Sequence, residues 1–132
     1  MLAFNSFPEA LLIGVYLTIS FLFSVIEKMT SWKMTNSFYK EHFKGTFIRN
    51  NVTPLIVVVL FFELVTLGFL ISGLIMTFIS SANVVLELGF FSTAITLFLL
   101  LIGQRIAKDY QGAMVITVYF ILTLLGIYFL NE

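Results

Sequence analysis

Four long apolar runs decide what this chain can become. Pro8 to Ile26, Pro54 to Phe78, Val84 to Ile102 and Ala113 to Leu130 each hold 18 to 25 residues. A helix needs about 20 mostly apolar residues to cross a hydrocarbon core of roughly 30 Å. Four crossings in 132 residues leave room for one modest loop and no separate soluble domain, so residues 1–132 read as a single transmembrane domain. The runs are apolar on every side, as in helices that meet lipid outside and neighbours inside. The predicted fold is therefore all-α, an integral membrane four-helix bundle. Pro8 and Pro54 sit where a helix begins and a missing N–H costs nothing, and Thr53 is placed to N-cap the second span. The first run lacks the basic start of a cleaved signal peptide and is expected to stay in the mature protein.

Composition narrows the chemistry. The chain is 60% hydrophobic and 11% charged, against roughly 45 to 50% and about 25% in a soluble domain. Seven basic residues balance seven acidic ones, which removes the basic surface that nucleic-acid binding requires. Without cysteine there is no disulfide, thiolate metal site or CxxC relay. His42, the one histidine, cannot provide both ligands of a bis-histidine haem. No metal-ligand spacing, phosphate loop or nucleophile with a partner base is present. No catalytic residue is expected, and no catalysis by the isolated chain.

All seven basic residues fall in two connections: Lys28, Lys33, Lys40, Lys44 and Arg49 between the first and second spans, Arg105 and Lys108 between the third and fourth. The positive-inside rule places these in the cytoplasm and both termini outside. The longer connection, Glu27 to Thr53, interleaves Trp32, Phe38, Tyr39, Phe43 and Phe47 with lysines. Rings and snorkelling lysines both find partners among headgroups, so a short interfacial helix is predicted near Met34 to Lys44.

Glu63 most needs explaining. It lies nine residues beyond Pro54, about 13 Å into the second span at ~1.5 Å per residue. A carboxylate at that depth should face the bundle interior and be paired, hydrogen-bonded or protonated. It fits a proton relay, an ion-coupling site or an acceptor for a bound headgroup. It equally fits a structural tie to a Tyr, Ser, Thr or basic side chain on a neighbouring helix. A second polar cluster closes the third span, where Arg105 and Asp109 can pair at i, i+4 if the helix continues that far, with Glu27 as a further partner for Arg105 or Lys108. Such a cluster could bind an anionic headgroup or quinone oxygens, or fix helix packing. Gly89, Thr93, Thr96 and Gly103, then Tyr119, Thr123 and Gly126, and the pair Gly68 and Ser72 mark expected packing seams. Glu87 is placed to favour the start of the third span electrostatically.

Leu60 to Leu74 (LFFELVTLGFLISGL) and Gly103 to Ala113 (GQRIAKDYQGA) resemble the DoxX family, the second segment resembling a subgroup of short bacterial DoxX-like proteins. Ser24 through Trp32 to Phe47 is similar to that subgroup's first connection. The resemblance implies a four-helix protein of the bacterial inner membrane. The family takes its name from a subunit associated with thiosulfate:quinone oxidoreductase, and other members accompany membrane redox complexes, which brings quinone into view. This chain departs from a redox role in lacking cysteine and haem ligands. Glu63, Arg105 and Asp109 are the positions that match the family pattern.

The expectation is a non-catalytic accessory or structural subunit of a membrane, redox-associated complex. It would pack in the lipid bilayer as a homo-oligomer or within a larger assembly. Quinone is the one cofactor in view, with Glu63, Arg105, Asp109 and Trp32 as candidates for contact with a quinone or lipid headgroup. Two alternatives stay open: a small proton-coupled transporter using Glu63, and a quinone-reactive oxidoreductase subunit.

Overall fold

The computed structural model describes residues 8–80 and 82–131. The elements are α1 (Pro8–Thr30), α2 (Trp32–His42), a 3-10 turn (Arg49–Asn51), α3 (Val52–Ser80), α4 (Val84–Ile106) and α5 (Tyr110–Leu130). α1, α3, α4 and α5 are each long and apolar enough to span a membrane. The chain is thus a multi-pass, all-α membrane protein built as a four-helix bundle, with α2 as the short helix between the first two spans. Residues 1–7 and Glu132, whose outer placement the sequence suggests, lie outside the described residues.

Every span reaches past its apolar run at the end that carries the basic connections. α1 continues to Thr30, α4 continues to Ile106, α3 begins at Val52 and α5 at Tyr110. The added residues include Glu27, Lys28, Gln104 and Arg105, whose unbranched side chains favour helix as readily as leucine does. Hydropathy marks the lipid-soluble stretch, whereas the hydrogen-bond ladder continues while propensity allows.

α2 covers Trp32–His42, two residues earlier than the predicted Met34 to Lys44. The chain bends at Ser31, whose N–H still bonds Glu27 O at 3.0 Å, so α2 follows α1 almost without a break. Met34 and Phe38, one turn apart, are both exposed, an apolar ridge suited to the headgroup boundary. Thr53 does not cap α3, because the 3-10 turn leads directly into Val52. Its hydroxyl instead donates to Asn36 Oδ1 at 2.7 Å and pins α2 to α3. Pro54 falls inside the first turn, where no intrahelical donor is required.

The four spans form a ring in the order α1, α3, α4, α5, each packed on two neighbours. The apolar core is weighted toward the end away from the basic connections, with Ala10, Leu17, Leu70, Leu86, Phe90 and Leu130 buried together. There α3 and α4 approach closely over Gly73, where a Cβ would fall 2.5 Å from Leu86 N. Gly89, Thr93, Thr96, Thr123 and Gly126 are buried in the expected seams. Gly68 and Ser72 depart from the expectation. Both are exposed, and a Cβ on Gly68 would meet nothing within 4 Å. Glu87 sits in the first turn of α4 and accepts from Asn131 Nδ2 at 2.6 Å, tying the end of α5 to the start of α4.

Candidate functional site: a buried ion pair beside a membrane-level cavity

Glu63 is the twelfth residue of α3, about 17 Å along it at ~1.5 Å per residue, and is 1% exposed. The burial stripe of α3 runs Glu63, Thr66, Leu67, Leu70, Gly73, Thr77, the i+3/i+4 spacing of one helix face. The partner of Glu63 comes from α1. Lys28 Nζ lies 2.9 Å from Glu63 Oε1, and Lys28 is itself 8% exposed. Ser24, one turn earlier on α1, closes the group: its hydroxyl donates to Glu63 Oε2 at 2.7 Å and accepts from Lys28 Nζ at 2.7 Å.

The hydroxyl thus uses its one donor on the carboxylate and a lone pair on the ammonium. The ammonium meets Oε1 by proximity of charge, since Oε1 lacks a hydrogen-bond partner of good alignment among the described residues. Lys28 and Glu63 are of opposite formal charge, so the pair is neutral as a unit. Removing either partner would strand an uncompensated charge, at a cost of about 3 to 5 kcal/mol in buried pairs. One turn along α3, Thr66 Oγ1 bonds Ser92 Oγ at 2.7 Å and Thr96 Oγ1 at 3.0 Å, joining α3 to α4. Polar groups therefore tie α3 to both of its neighbours at adjacent levels.

Two concavities adjoin Lys28. A cavity of about 270 Å³ lies between the start of α3 and the end of α4, roofed by α2 and the connection after it. Val52, Leu55, Val59, Leu99 and Ile102 are among its aliphatic lining residues, and Lys28, Tyr39 and Gln104 are the polar ones. Leu55, Val58 and Ile102 line it and are also exposed on the outer surface, so the cavity opens on the apolar flank. A second, shallower depression of about 400 Å³ lies on the other side of Lys28 and Tyr39, bounded by Ser24, Glu27 and Thr35. Lys28 and Tyr39 therefore stand in the wall between the two. Glu63 lines neither, and is linked to them through Lys28 and Ser24.

The second expected cluster is rearranged by how α4 ends. Lys108 N–H bonds Arg105 O at 3.2 Å and Asp109 N–H bonds Gln104 O at 2.8 Å, with Lys108 at φ 59°. These are the two bonds of a Schellman turn with a left-handed residue after the cap. The helix stops before the i, i+4 pair can form, and Arg105 and Asp109 make no ion pair among the described residues. Arg105 instead lies with its guanidinium carbon 5.0 Å from the Tyr110 ring centre. Asp109 caps α5, its Oδ1 accepting from Gly112 N at 2.9 Å. A Cβ at Gly112 would fall 2.6 Å from Asp109 Oδ2, so a larger residue there would push the capping carboxylate aside. Glu27 is exposed and pairs with neither Arg105 nor Lys108 among the described residues.

His42 completes this end. Its Nε2 lies 3.3 Å from Gln104 Oε1 and 3.7 Å from Asp109 Oδ2, fastening the end of α2 to the α4–α5 turn. Trp32 is half-buried at the start of α2 and lines neither concavity.

Of the four sequence candidates, then, Glu63 alone belongs to the buried cluster, and none lines the cavity. Lys28 and Gln104 belong to the polar residues that close the first and third spans, and Tyr39 to the rings of the long connection, but the sequence alone picks none of them, nor Ser24, as a site residue. For Lys28 and Ser24 a signal existed: they stand i, i+4 at the end of a span, facing a carboxylate that needed a partner. No metal-binding group of His, Asp and Glu occurs among the described residues. Comparison of the chain with protein-family models, with curated proteins and with solved structures finds no match.

Proposed function

We propose that this chain is a DoxX-like protein of the bacterial inner membrane, a non-catalytic accessory subunit that holds a quinone or lipid in the cavity between α3 and α4. It would pack with itself or within a larger membrane complex, its basic end in the cytoplasm and both termini in the periplasm. The observation that carries the reading is the form of the cavity. Its walls are aliphatic, its mouth is on the apolar flank, and its few polar groups come from Lys28, Tyr39 and Gln104. That division suits an amphiphile entering sideways from the bilayer, since binding sites are mostly apolar with a few placed polar groups that fix orientation. At about 270 Å³ the cavity falls just below the usual range of roughly 300 to 1,000 Å³ for whole ligands. It fits a headgroup or ring with the first part of a tail, the remainder lying along the bundle.

The test is purification in a mild detergent followed by extraction and quantification of quinone and lipid per chain. The expected result is one species retained near one per chain through extensive washing. Loss of every amphiphile in proportion to detergent exchange would remove the reading.

A further inference from the structure

We infer that the cavity selects an amphiphile with an anionic headgroup, carboxylate or phosphate, and that Lys28 is its recognition residue, shared with Glu63. The inference rests on the amphiphile-binding reading above and names the ligand's chemistry. The polar residues of the cavity wall are one cation and two neutral side chains, Lys28, Tyr39 and Gln104, with no carboxylate among the lining residues. A buried site so composed is complementary to negative charge and opposes a cationic headgroup.

Lys28 is also incompletely used. An ammonium has three donors. One is spent on Ser24 Oγ, and the contact with Glu63 Oε1 at 2.9 Å lacks hydrogen-bond alignment. An oxygen arriving from the cavity side would take a donor that Glu63 does not hold. Ser24 keeps its own bond to Glu63 Oε2, so the carboxylate remains solvated by a hydroxyl while the ammonium is shared.

The arrangement makes Glu63 a competitor for the ligand's counter-charge. With Glu63 present, an added anion brings the cluster to one net negative charge. With a neutral residue there, the anion becomes the only charged partner of a buried ammonium. Removing the acid should therefore tighten anion binding, the opposite of what loss of a simple structural tie predicts.

The test titrates the whole chain, in nanodiscs of neutral phosphatidylcholine, with monohexadecyl phosphate, hexadecanol, a neutral short-chain quinone and inorganic phosphate. Binding is read by native mass spectrometry and by shift in Tm. Wild type is expected to bind one monohexadecyl phosphate at least about tenfold tighter than hexadecanol or inorganic phosphate. That factor lies at the low end of measured couplings between close charges. Glu63→Gln is expected to bind it about tenfold tighter again, and to gain more Tm from it than wild type does.

Gly103→Leu narrows the cavity beneath Phe43 while leaving Lys28 and Glu63 in place, since a Cβ at Gly103 makes only an ordinary 3.6 Å contact with Phe43 Cζ. That variant should fold and lose the binding. Inorganic phosphate binding as tightly as the alkyl phosphate would show a free-anion site and overturn the amphiphile. Hexadecanol or quinone binding as well as the phosphate, or affinity unchanged or weakened in Glu63→Gln, would overturn this inference alone, provided Gly103→Leu still abolished binding. Binding of no probe in a Gly103-dependent way would overturn both this inference and the amphiphile-binding reading.

Discussion

At the residue scale the protein is organised around a charge that had to be neutralised. Glu63 could be recognised in the sequence because an acid deep in an apolar run is costly wherever it points. The kind of partner was legible too, a hydroxyl or basic side chain on a neighbouring helix, but not the residue, because hydropathy ends the first span at Ile26 while the helix continues to Thr30 and the lysine stem carries its ammonium inward. The pairing predicts non-additive mutations. With no anion added, Lys28→Met and Glu63→Gln should each destabilise the bundle by about 3 to 5 kcal/mol. The double variant should cost clearly less than the sum. Reversible unfolding in mixed micelles measures this, and additive losses would show that the two side chains act independently. Lys108 offers a separate check. A lysine at φ 59° occupies a backbone region that costs an L-residue roughly 1 kcal/mol or more, so Lys108→Gly should raise stability by about 1 kcal/mol in the same assay.

At the scale of elements, the number and type of helices follow from sequence, while their registers depend on contacts that apolar composition conceals. Four spans and a connecting helix are legible because hydropathy is strong. Which face of a uniformly apolar helix turns inward is not, which is why Gly68 and Ser72 read as a seam and yet face outward. The buried carboxylate carries the missing information. Counting i+3, i+4 and i+7 from Glu63 leads to Thr66, Leu67 and Leu70 and on to Gly73, whereas Gly68 lies well round the helix. The two glycines should therefore behave differently. Gly73→Ala overpacks the α3–α4 contact at the Leu86 backbone and should cost about 1 to 3 kcal/mol. Gly68→Ala, on an open face, should be neutral or stabilising by up to about 1 kcal/mol. Equal effects in a thermal melt would mean that α3 is rotated from the orientation described. The Arg105–Asp109 pair failed for a comparable reason: residue spacing shows what a continuing helix would bring together, but the Schellman turn at Lys108 ends it first.

At the scale of the whole molecule the bundle has two unlike ends. One is close-packed around Leu70, Leu86, Phe90 and Leu130. The other holds the basic connections, the Ser24–Lys28–Glu63 cluster and a cavity open to the apolar flank. The sequence disclosed the asymmetry of charge, but it set Glu63 near mid-span, apart from the basic end, and held no sign of the cavity, which exists only where α2, α3 and α4 meet. The proposed orientation is testable because the chain has no native cysteine. Ala82→Cys and Ser37→Cys each put a thiol at an exposed position, at opposite ends of the bundle. A membrane-impermeant maleimide should label Ala82→Cys in spheroplasts and Ser37→Cys only after lysis, and the reverse pattern would invert the topology. The central claim, that the loosened end holds an amphiphile, is tested most directly by native mass spectrometry of the chain released from mild-detergent micelles beside its Gly103→Leu variant. A single bound-mass increment is expected on the native chain and not on the folded variant. The same increment on both, or none on the native chain, would contradict it.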